Sequence, residues 1–128
     1  MAKYLLDTTV LIDYLRGSKE VVQLLTDLAH QGHQLGICAI NVAELYSGLS
    51  KPEQTKAEPL VDSLNFYEVT REAAKQAGNY RFSFARQGIS LSVTDTLIAA
   101  VAVEQGATLI TANVKDYPMP EVRLLKQP

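Results

Sequence analysis

Short apolar runs alternate along the chain with longer stretches in which apolar side chains recur every three or four residues. The first pattern predicts buried strands and the second predicts amphipathic helices. Apolar runs such as KYLLD, QLGIC and ATLIT predict strands over residues 3–7, 34–38, 66–69, 107–111 and 122–125. The stretches between them predict helices over residues 9–16, 18–30, 41–49, 52–64, 70–87 and 92–105. We expect Ser18, Asn41, Thr70 and Ser92 to be helix N-caps. Pro59 should kink or split the fourth of these helices.

This alternation of strands and helices indicates an α/β fold. Two parallel strands need a crossover of a dozen or more residues between them, and a helix is its usual form. Parallel sheets are covered by helices on both faces, so their strands are continuous apolar runs. We therefore expect one domain over residues 1–128, a three-layer α/β/α sandwich with a mostly parallel central sheet. Ligands of such sheets bind beyond the carboxyl ends of the strands.

The composition narrows the class of protein. Of 128 residues, 47% are apolar and 20% are charged, which excludes a disordered chain or a collagen-like fibre. No apolar run approaches the ~18 residues of a membrane span. Asp7 interrupts the first apolar run too early for a secretory signal. The single cysteine excludes an internal disulfide and a multi-cysteine zinc site. We therefore expect a cytoplasmic protein without a membrane segment.

The net charge of −2 argues against capture of nucleic acid by a basic surface. It leaves room for a nucleic-acid enzyme whose acidic site takes its positive charge from a metal ion.

Four acidic residues lie just past a predicted strand or in the first turn of the helix that follows it: Asp7, Glu44, Asp95 and Asp116. In a parallel sheet these positions share one edge, so carboxylates from distant parts of the chain would converge there. Converging carboxylates repel one another unless a cation neutralises them. An all-oxygen set of ligands suits Mg²⁺ or Mn²⁺ rather than zinc. Mg²⁺ takes one or two carboxylates and leaves positions open for water and a phosphodiester.

Each of these acids also has an ordinary structural explanation. Glu44 and Asp95 each follow a polar residue by three positions, which is the spacing of a capping box. Asp7 suits a turn, and Asp116 suits an Asx turn. The four together are harder to explain in this way than any one of them. Among other candidates, Asp13 is expected either on a solvated helix face or behind the metal-binding residues, where it would support them. Cys38 is expected to be a small buried residue, because no base is patterned near it.

Four segments, taken in order and spacing, resemble one known family. They are LLDTTVLIDYLRG, AINVAELYSG, SVTDTLIAAVAVEQGATLIT and TANVKDYP. The chain resembles the PIN-domain ribonucleases from Met1 to about residue 125, and most closely the VapC-type toxins of bacterial toxin–antitoxin pairs. Three acids of the family correspond to Asp7, Glu44 and Asp95. The family's T-x-N-x-x-D pattern is matched by Thr111, Asn113 and Asp116, and either of the last two could supply the fourth site residue.

The resemblance implies a metal-dependent endoribonuclease that hydrolyses RNA with water activated by Mg²⁺ or Mn²⁺. It also implies a homodimer and a cognate antitoxin that blocks the site. Asp7 and Asp95 would hold the principal ion, while Glu44 and Asp116 would complete a second site or orient water. Many members carry Asn or Ser where this chain has Thr9. Residues expected to position the substrate are Thr9, Thr111 and Asn113. Exposed apolar side chains are expected on the first helix (Val10, Leu11, Tyr14 and Leu15) and on the AELYSGL segment, and these are candidates for binding the antitoxin.

Two other classes of function stay open. One is a non-catalytic binding module that keeps only the fold. The other is a phosphotransfer domain built on an Asp at a strand end. A haloacid-dehalogenase-type phosphatase needs a second Asp where this chain has Thr9. A receiver module needs adjacent acids near the end of the first strand, which are missing, and Lys115 alone is weak support for it.

Overall fold

The computed structural model describes residues 1–128 and contains a five-stranded sheet and six α-helices. The strands are β1 (Lys3–Leu6), β2 (Gln34–Cys38), β3 (Asn65–Tyr67), β4 (Thr108–Thr111) and β5 (Arg123–Lys126). The helices are α1 (Thr8–Leu15), α2 (Lys19–His30), α3 (Ala39–Ser47), α4 (Lys51–Ser63), α5 (Arg71–Ala85) and α6 (Val93–Gln105). A 3₁₀ turn over Val114–Asp116 follows β4. None of the helices is long and apolar enough to cross a membrane.

All five strands are parallel, and their order in the sheet is β3-β2-β1-β4-β5. The central strand β1 pairs with β2 on one side and with β4 on the other. Because every strand runs in the same direction, all five carboxyl ends lie at one edge of the sheet. The segments that follow the strands therefore start from a common edge, as the alternating pattern predicted.

The sheet separates two hydrophobic cores. Successive residues of β1 point to opposite faces, so Leu5 joins one core and Leu6 the other, and Leu109 and Ile110 of β4 divide in the same way. The core on the Leu5 side is built largely by α5 and α6. The core on the Leu6 side is built by side chains of α1, α2, α3 and α4. The three-layer α/β/α architecture expected from the sequence is thus confirmed.

The predicted start of α3 is wrong by two residues. We expected Asn41 to be the N-cap, but α3 begins at Ala39 and the cap is Cys38. Asn41 lies in the first turn, fully buried, and its side-chain oxygen accepts a hydrogen bond from the Cys38 amide at 3.0 Å. The Asn41–Glu44 capping box therefore does not form. Glu44 lies in the second turn of α3 rather than in the first.

The expected interruption at Pro59 is also wrong, because α4 is continuous from Lys51 to Ser63 with Pro59 inside it. Proline lacks the amide that would bond to the carbonyl of Thr55, four residues earlier. Both residues lie on the exposed side of α4, where water can hydrogen-bond to that carbonyl. Most other boundaries agree with the expected ones within one or two residues. The caps Ser18, Thr70 and Ser92 are confirmed.

Candidate active site

Asp7 follows β1 directly and is the N-cap of α1. Its Oδ1 accepts a hydrogen bond from the Thr8 amide at 2.8 Å. Its Oδ2 accepts from the Thr111 hydroxyl at 2.7 Å and from the Tyr117 hydroxyl at 3.0 Å. The residue is only 6% exposed. A nearly buried carboxylate is therefore held by three uncharged donors, and no lysine or arginine side chain hydrogen-bonds to it.

Asp95 lies in the first turn of α6, where its amide donates to the Ser92 hydroxyl at 3.1 Å. Its carboxylate Oδ1 accepts from the Tyr117 hydroxyl at 3.3 Å. Partial burial raises the pKa of Asp95, and the negative charges of Asp116 and Asp7 raise it further. Hydrogen bonds from Ser92 and Tyr117 act in the opposite direction. Asp95 therefore shares its environment with two other carboxylates, as the topology predicted.

Tyr117 joins the two acids, and the sequence analysis did not identify it. Its side chain is 2% exposed, and its single hydroxyl lies within hydrogen-bonding distance of both Asp7 and Asp95. Burial and the adjacent carboxylates raise its pKa well above the usual range, so the phenol stays protonated and acts as a donor. The sequence could have pointed to Tyr117, because it belongs to the segment that follows β4 at the shared edge of the sheet.

Glu44 reaches the same edge from α3. Its Oε1 accepts from the Thr8 hydroxyl at 2.8 Å, while the Thr8 amide donates to Asp7. Cys38 lies beside both acids. Burial raises the pKa of its thiol most, and the charges of Glu44 and Asp7 add to that effect. The thiol is thus kept protonated, and the expectation that Cys38 is a small buried residue is confirmed.

Both candidates for the fourth site residue have exposed side chains on the segment after β4, and they differ in how they act on the acids. Asp116 ends the 3₁₀ turn after β4, and its charge contributes to the raised pKa of Asp95. Asn113 has an exposed side chain, and its backbone amide donates to the Thr111 hydroxyl at 3.0 Å. Asp116 therefore lies near the acids through its side chain, whereas Asn113 contacts them only through its backbone and Thr111. We call Asp7, Glu44, Asp95 and Asp116 the acid cluster.

Gln127 is a second residue that the sequence analysis missed. It follows β5 at the shared edge of the sheet and is only 6% exposed. Its side-chain oxygen accepts from the Thr9 hydroxyl at 2.9 Å, and its side-chain nitrogen donates to Asp13 Oδ2 at 2.6 Å. Asp13 is therefore half-buried and hydrogen-bonded, rather than lying on a solvated helix face, one of the two places expected for it. The hydroxyls of Thr9 and Thr111 both donate to protein groups, the second to Asp7.

The acid cluster fits a hard divalent cation in its chemistry. Its donors are all carboxylate oxygens, and Mg²⁺ in proteins is held by one or two carboxylates. Asp7 and Asp95 meet this requirement because a single hydroxyl touches both. With the side chains as they lie, no three His, Cys, Asp or Glu residues are close enough together to hold an ion. The pair Asp7 and Asp95 would hold the ion, and Glu44 and Asp116 lie around that pair.

A groove lies between α1, α3 and α4, and none of its lining residues belongs to the acid cluster. Its lining consists of Ile12, Leu15, Arg16, Leu45, Gly48, Leu49, Glu53 and Lys56. The expectation that Val10 and Leu11 are exposed is wrong, because both are fully buried in the core. They face the sheet, whereas Ile12 and Leu15 lie on the side of α1 that faces the groove. The groove combines an apolar floor with charged side chains of both signs.

Comparison with known proteins supplies the family. A family model described as PIN domain matches residues 4–117. Ribonuclease VapC19 of Mycobacterium tuberculosis is 30% identical over 115 residues, which cover 90% of this chain and 92% of that protein. The structure of VapBC2 from Rickettsia felis, bound to a DNA fragment from its promoter, has a TM-score of 0.89 and 25% identity. That likeness covers 98% of this chain and 99% of the other.

A toxin–antitoxin complex from Klebsiella pneumoniae is also similar, with a TM-score of 0.75, 26% identity and coverage of 93% and 94% of the two chains. The chain therefore belongs to the PIN-domain family. Within that family, the match to VapC19 over nearly the whole length of both proteins places it with the VapC ribonucleases.

Proposed function

We propose that this chain is a divalent-metal-dependent endoribonuclease and the toxin of a toxin–antitoxin pair, acting in the cytoplasm. One observation supports the metal dependence most directly. Asp7 is nearly buried, is bonded only to uncharged donors, and shares the Tyr117 hydroxyl with a second acid. Such a pair of anions lacks a positive partner, and a phosphodiester would add further negative charge. A divalent cation would neutralise both the carboxylates and the phosphodiester.

The positions of the four acids suggest a separate role for each pair. Asp7 and Asp95 would hold the ion, with Glu44 and Asp116 binding a second ion or orienting the attacking water. When bound, the divalent ion supplies positive charge to the phosphate oxygens and increases the acidity of water. Thr111 fixes Asp7 by donating to Oδ2, and Thr8 ties Glu44 to the same carboxylate. The fixed carboxylates would face an RNA strand laid across the carboxyl edge of the sheet.

Cleavage of purified cellular RNA tests this proposal. The wild-type protein should cut RNA in Mg²⁺ or Mn²⁺ and leave it intact in EDTA, with 5′-phosphate and 3′-hydroxyl ends. Asp7→Asn and Asp95→Asn should each lose cleavage while keeping the circular dichroism spectrum of the native protein. Asp62→Asn is the matched control, because it removes an exposed carboxylate of α4 outside the acid cluster. Full activity of Asp7→Asn, or undiminished cleavage in EDTA, would contradict the proposal.

RNA cleavage, together with Mn²⁺-dependent melting and acetyl phosphate labelling, separates the alternative functions. A binding module without catalysis would leave RNA uncut, and millimolar Mn²⁺ would not raise its melting temperature. A phosphotransfer domain would become labelled by acetyl phosphate at Asp7. The proposed ribonuclease should show metal-dependent cleavage and no stable labelling.

The groove between α1, α3 and α4 is the surface we assign to the antitoxin. Its floor of Ile12, Leu15 and Leu49 suits the apolar face of a helix, and Arg16 and Glu53 at its edges suit charges of opposite sign. A solved structure resembling this chain is a toxin–antitoxin complex, which supports such a partner. Where a gene for a small protein with a DNA-binding pattern lies directly upstream, Leu15→Lys should prevent co-purification with its product while RNA cleavage persists. Retained co-purification would contradict this assignment.

We also propose that the chain forms a homodimer, as VapC-type toxins are expected to do. Light scattering of the purified chain should give about twice the mass of 14.1 kDa. A mass equal to one chain at micromolar concentration would contradict the dimer and leave the metal chemistry untouched.

A further inference from the structure

The hydroxyl of Tyr117 lies within hydrogen-bonding distance of both Asp7 and Asp95. It lies 3.0 Å from Asp7 Oδ2 and 3.3 Å from Asp95 Oδ1. We propose that Tyr117 is a positioning residue that presets these two carboxylates for a divalent cation before the cation arrives. This inference rests on the proposed function, because it assumes that the two acids are the ligands.

The bonds around Asp7 show which oxygen Tyr117 leaves free. Oδ2 accepts from both Thr111 and Tyr117, so its two lone pairs are occupied. Oδ1 accepts only from the Thr8 amide and keeps one lone pair. While both hydroxyls donate to Oδ2, they fix the rotation of the carboxylate, and Oδ1 is the oxygen with room for a cation.

Tyr117 also limits where Asp95 can lie. Asp95 comes from α6 and Asp7 from the end of β1, and these elements have no other side-chain hydrogen bond that joins the two acids. A phenol has one hydrogen and two lone pairs, so it donates to one carboxylate at a time and can exchange between them. This shared donor keeps two mutually repelling groups near one point. Without it, Asp95 would keep its bond from Ser92 but would have no hydrogen bond that links it to Asp7.

The rest of the side chain is structural. The ring of Tyr117 is part of the core on the Leu5 side of the sheet, together with residues of α5 and α6. Phenylalanine would preserve this packing and remove only the oxygen. Tyr117→Phe thus isolates the hydroxyl from the fold. Hydrogen-bond partners of metal ligands commonly alter metal affinity by about 10–100-fold when they are removed.

Titration calorimetry with MnCl₂ on the purified full-length protein tests the inference. Tyr117→Phe should bind Mn²⁺ about tenfold more weakly than the wild type. Tyr80→Phe is the matched control, because Tyr80 is buried to a similar degree (5% exposed) and its hydroxyl makes none of the hydrogen bonds to the acid cluster. Its Mn²⁺ affinity should stay within about twofold of the wild type. Melting temperatures without metal verify that both variants are folded.

A spectroscopic measurement accompanies the titration. The chain has six tyrosines and no tryptophan, so its near-ultraviolet absorbance reports the tyrosines. Mn²⁺ should perturb this absorbance in the wild type and in Tyr80→Phe, and the perturbation should disappear in Tyr117→Phe. A residue that only packs the core would not produce this difference.

The possible outcomes distinguish a failure of the positioning role of Tyr117 from a failure of the proposed metal-dependent ribonuclease function. Unchanged or tighter Mn²⁺ binding by folded Tyr117→Phe would overturn the positioning role and leave the ribonuclease proposal intact. Failure of the wild type to bind Mn²⁺ at millimolar concentration would overturn the proposed metal dependence and the inference with it. Weaker binding by Tyr117→Phe together with unchanged binding by Tyr80→Phe supports both.

Discussion

Replacing Gln127 by alanine tests how much the hydrogen bonds between the end of β5 and α1 stabilise the fold. Gln127 directly follows β5 and is only 6% exposed. Its side chain connects Thr9 and Asp13 of α1 to the segment after β5, and its amide donates to the Thr111 carbonyl at 2.9 Å. Gln127→Ala removes both side-chain bonds and keeps the backbone bond.

The expected loss follows from the two bonds. The bond from Thr9 joins uncharged groups and contributes about 1 kcal/mol, and the 2.6 Å bond to the Asp13 carboxylate contributes about 1.5–3 kcal/mol. Thr9 and Asp13 are only half-buried, so hydrogen bonds to water would replace part of the stabilisation that the two lost bonds provided. We expect a net loss of about 2–3 kcal/mol. For a domain of this size, that lowers the melting temperature by roughly 6–12 °C.

Thermal unfolding followed by circular dichroism measures this loss. The control is Gln23→Ala, which removes a Gln–Asp bond of 2.7 Å on the exposed face of α2 and should cost only about 0.2–0.5 kcal/mol. Gln127→Glu should be worse than Gln127→Ala at pH 7, because it faces Asp13 with a second carboxylate, and it should recover in acid. Equal melting temperatures for Gln127→Ala and the wild type would refute the reasoning.

Three further predictions concern stability without metal. Asp95→Asn should melt higher than the wild type in EDTA at pH 7, and the two melting temperatures should converge toward pH 3; a constant difference would contradict the raised pKa of Asp95. The sign follows from the direction of the shift, because the pKa of Asp95 in the folded protein lies above its ordinary 3.8. The folded protein then loses stability as the pH rises through the pKa that Asp95 has in the fold. Gly36→Ala should destabilise the fold by more than about 1 kcal/mol in urea unfolding, since a Cβ there would overlap the Tyr67 ring; an unchanged midpoint would contradict this. Pro59→Ala should stabilise α4 by about 1 kcal/mol or more, because it restores the amide that bonds to the Thr55 carbonyl; a lower urea midpoint would show that the ring contributes packing.

The sequence predicted the acids better than the groups that hold them. Asp7 and Asp95 follow from topology alone, because parallel strands end at one edge and each acid lies just beyond that edge or in the adjoining first turn. Tyr117 and Gln127 lie at the same edge, but an aromatic or an amide side chain carries no charge that would mark it. Their roles depend on side-chain direction, which strand and helix periodicity does not supply.

The errors in helix boundaries have local causes. Asn41 is a favoured N-cap residue, and the sequence pattern placed it there. In the structure its side chain bonds back to the Cys38 amide from inside the first turn, which lets α3 start two residues earlier. At Pro59, packing of the apolar face of α4 on the core outweighs the lost backbone bond, with Ala57 fully buried beside it. In both places a tertiary contact decided what local preference could not.

The most direct test of the acid cluster as a metal centre is anomalous diffraction from crystals of the wild-type protein soaked in MnCl₂. We predict an anomalous peak within about 2.0–2.3 Å of carboxylate oxygens of both Asp7 and Asp95. No peak at that position, or manganese bound only elsewhere on the surface, would contradict the account.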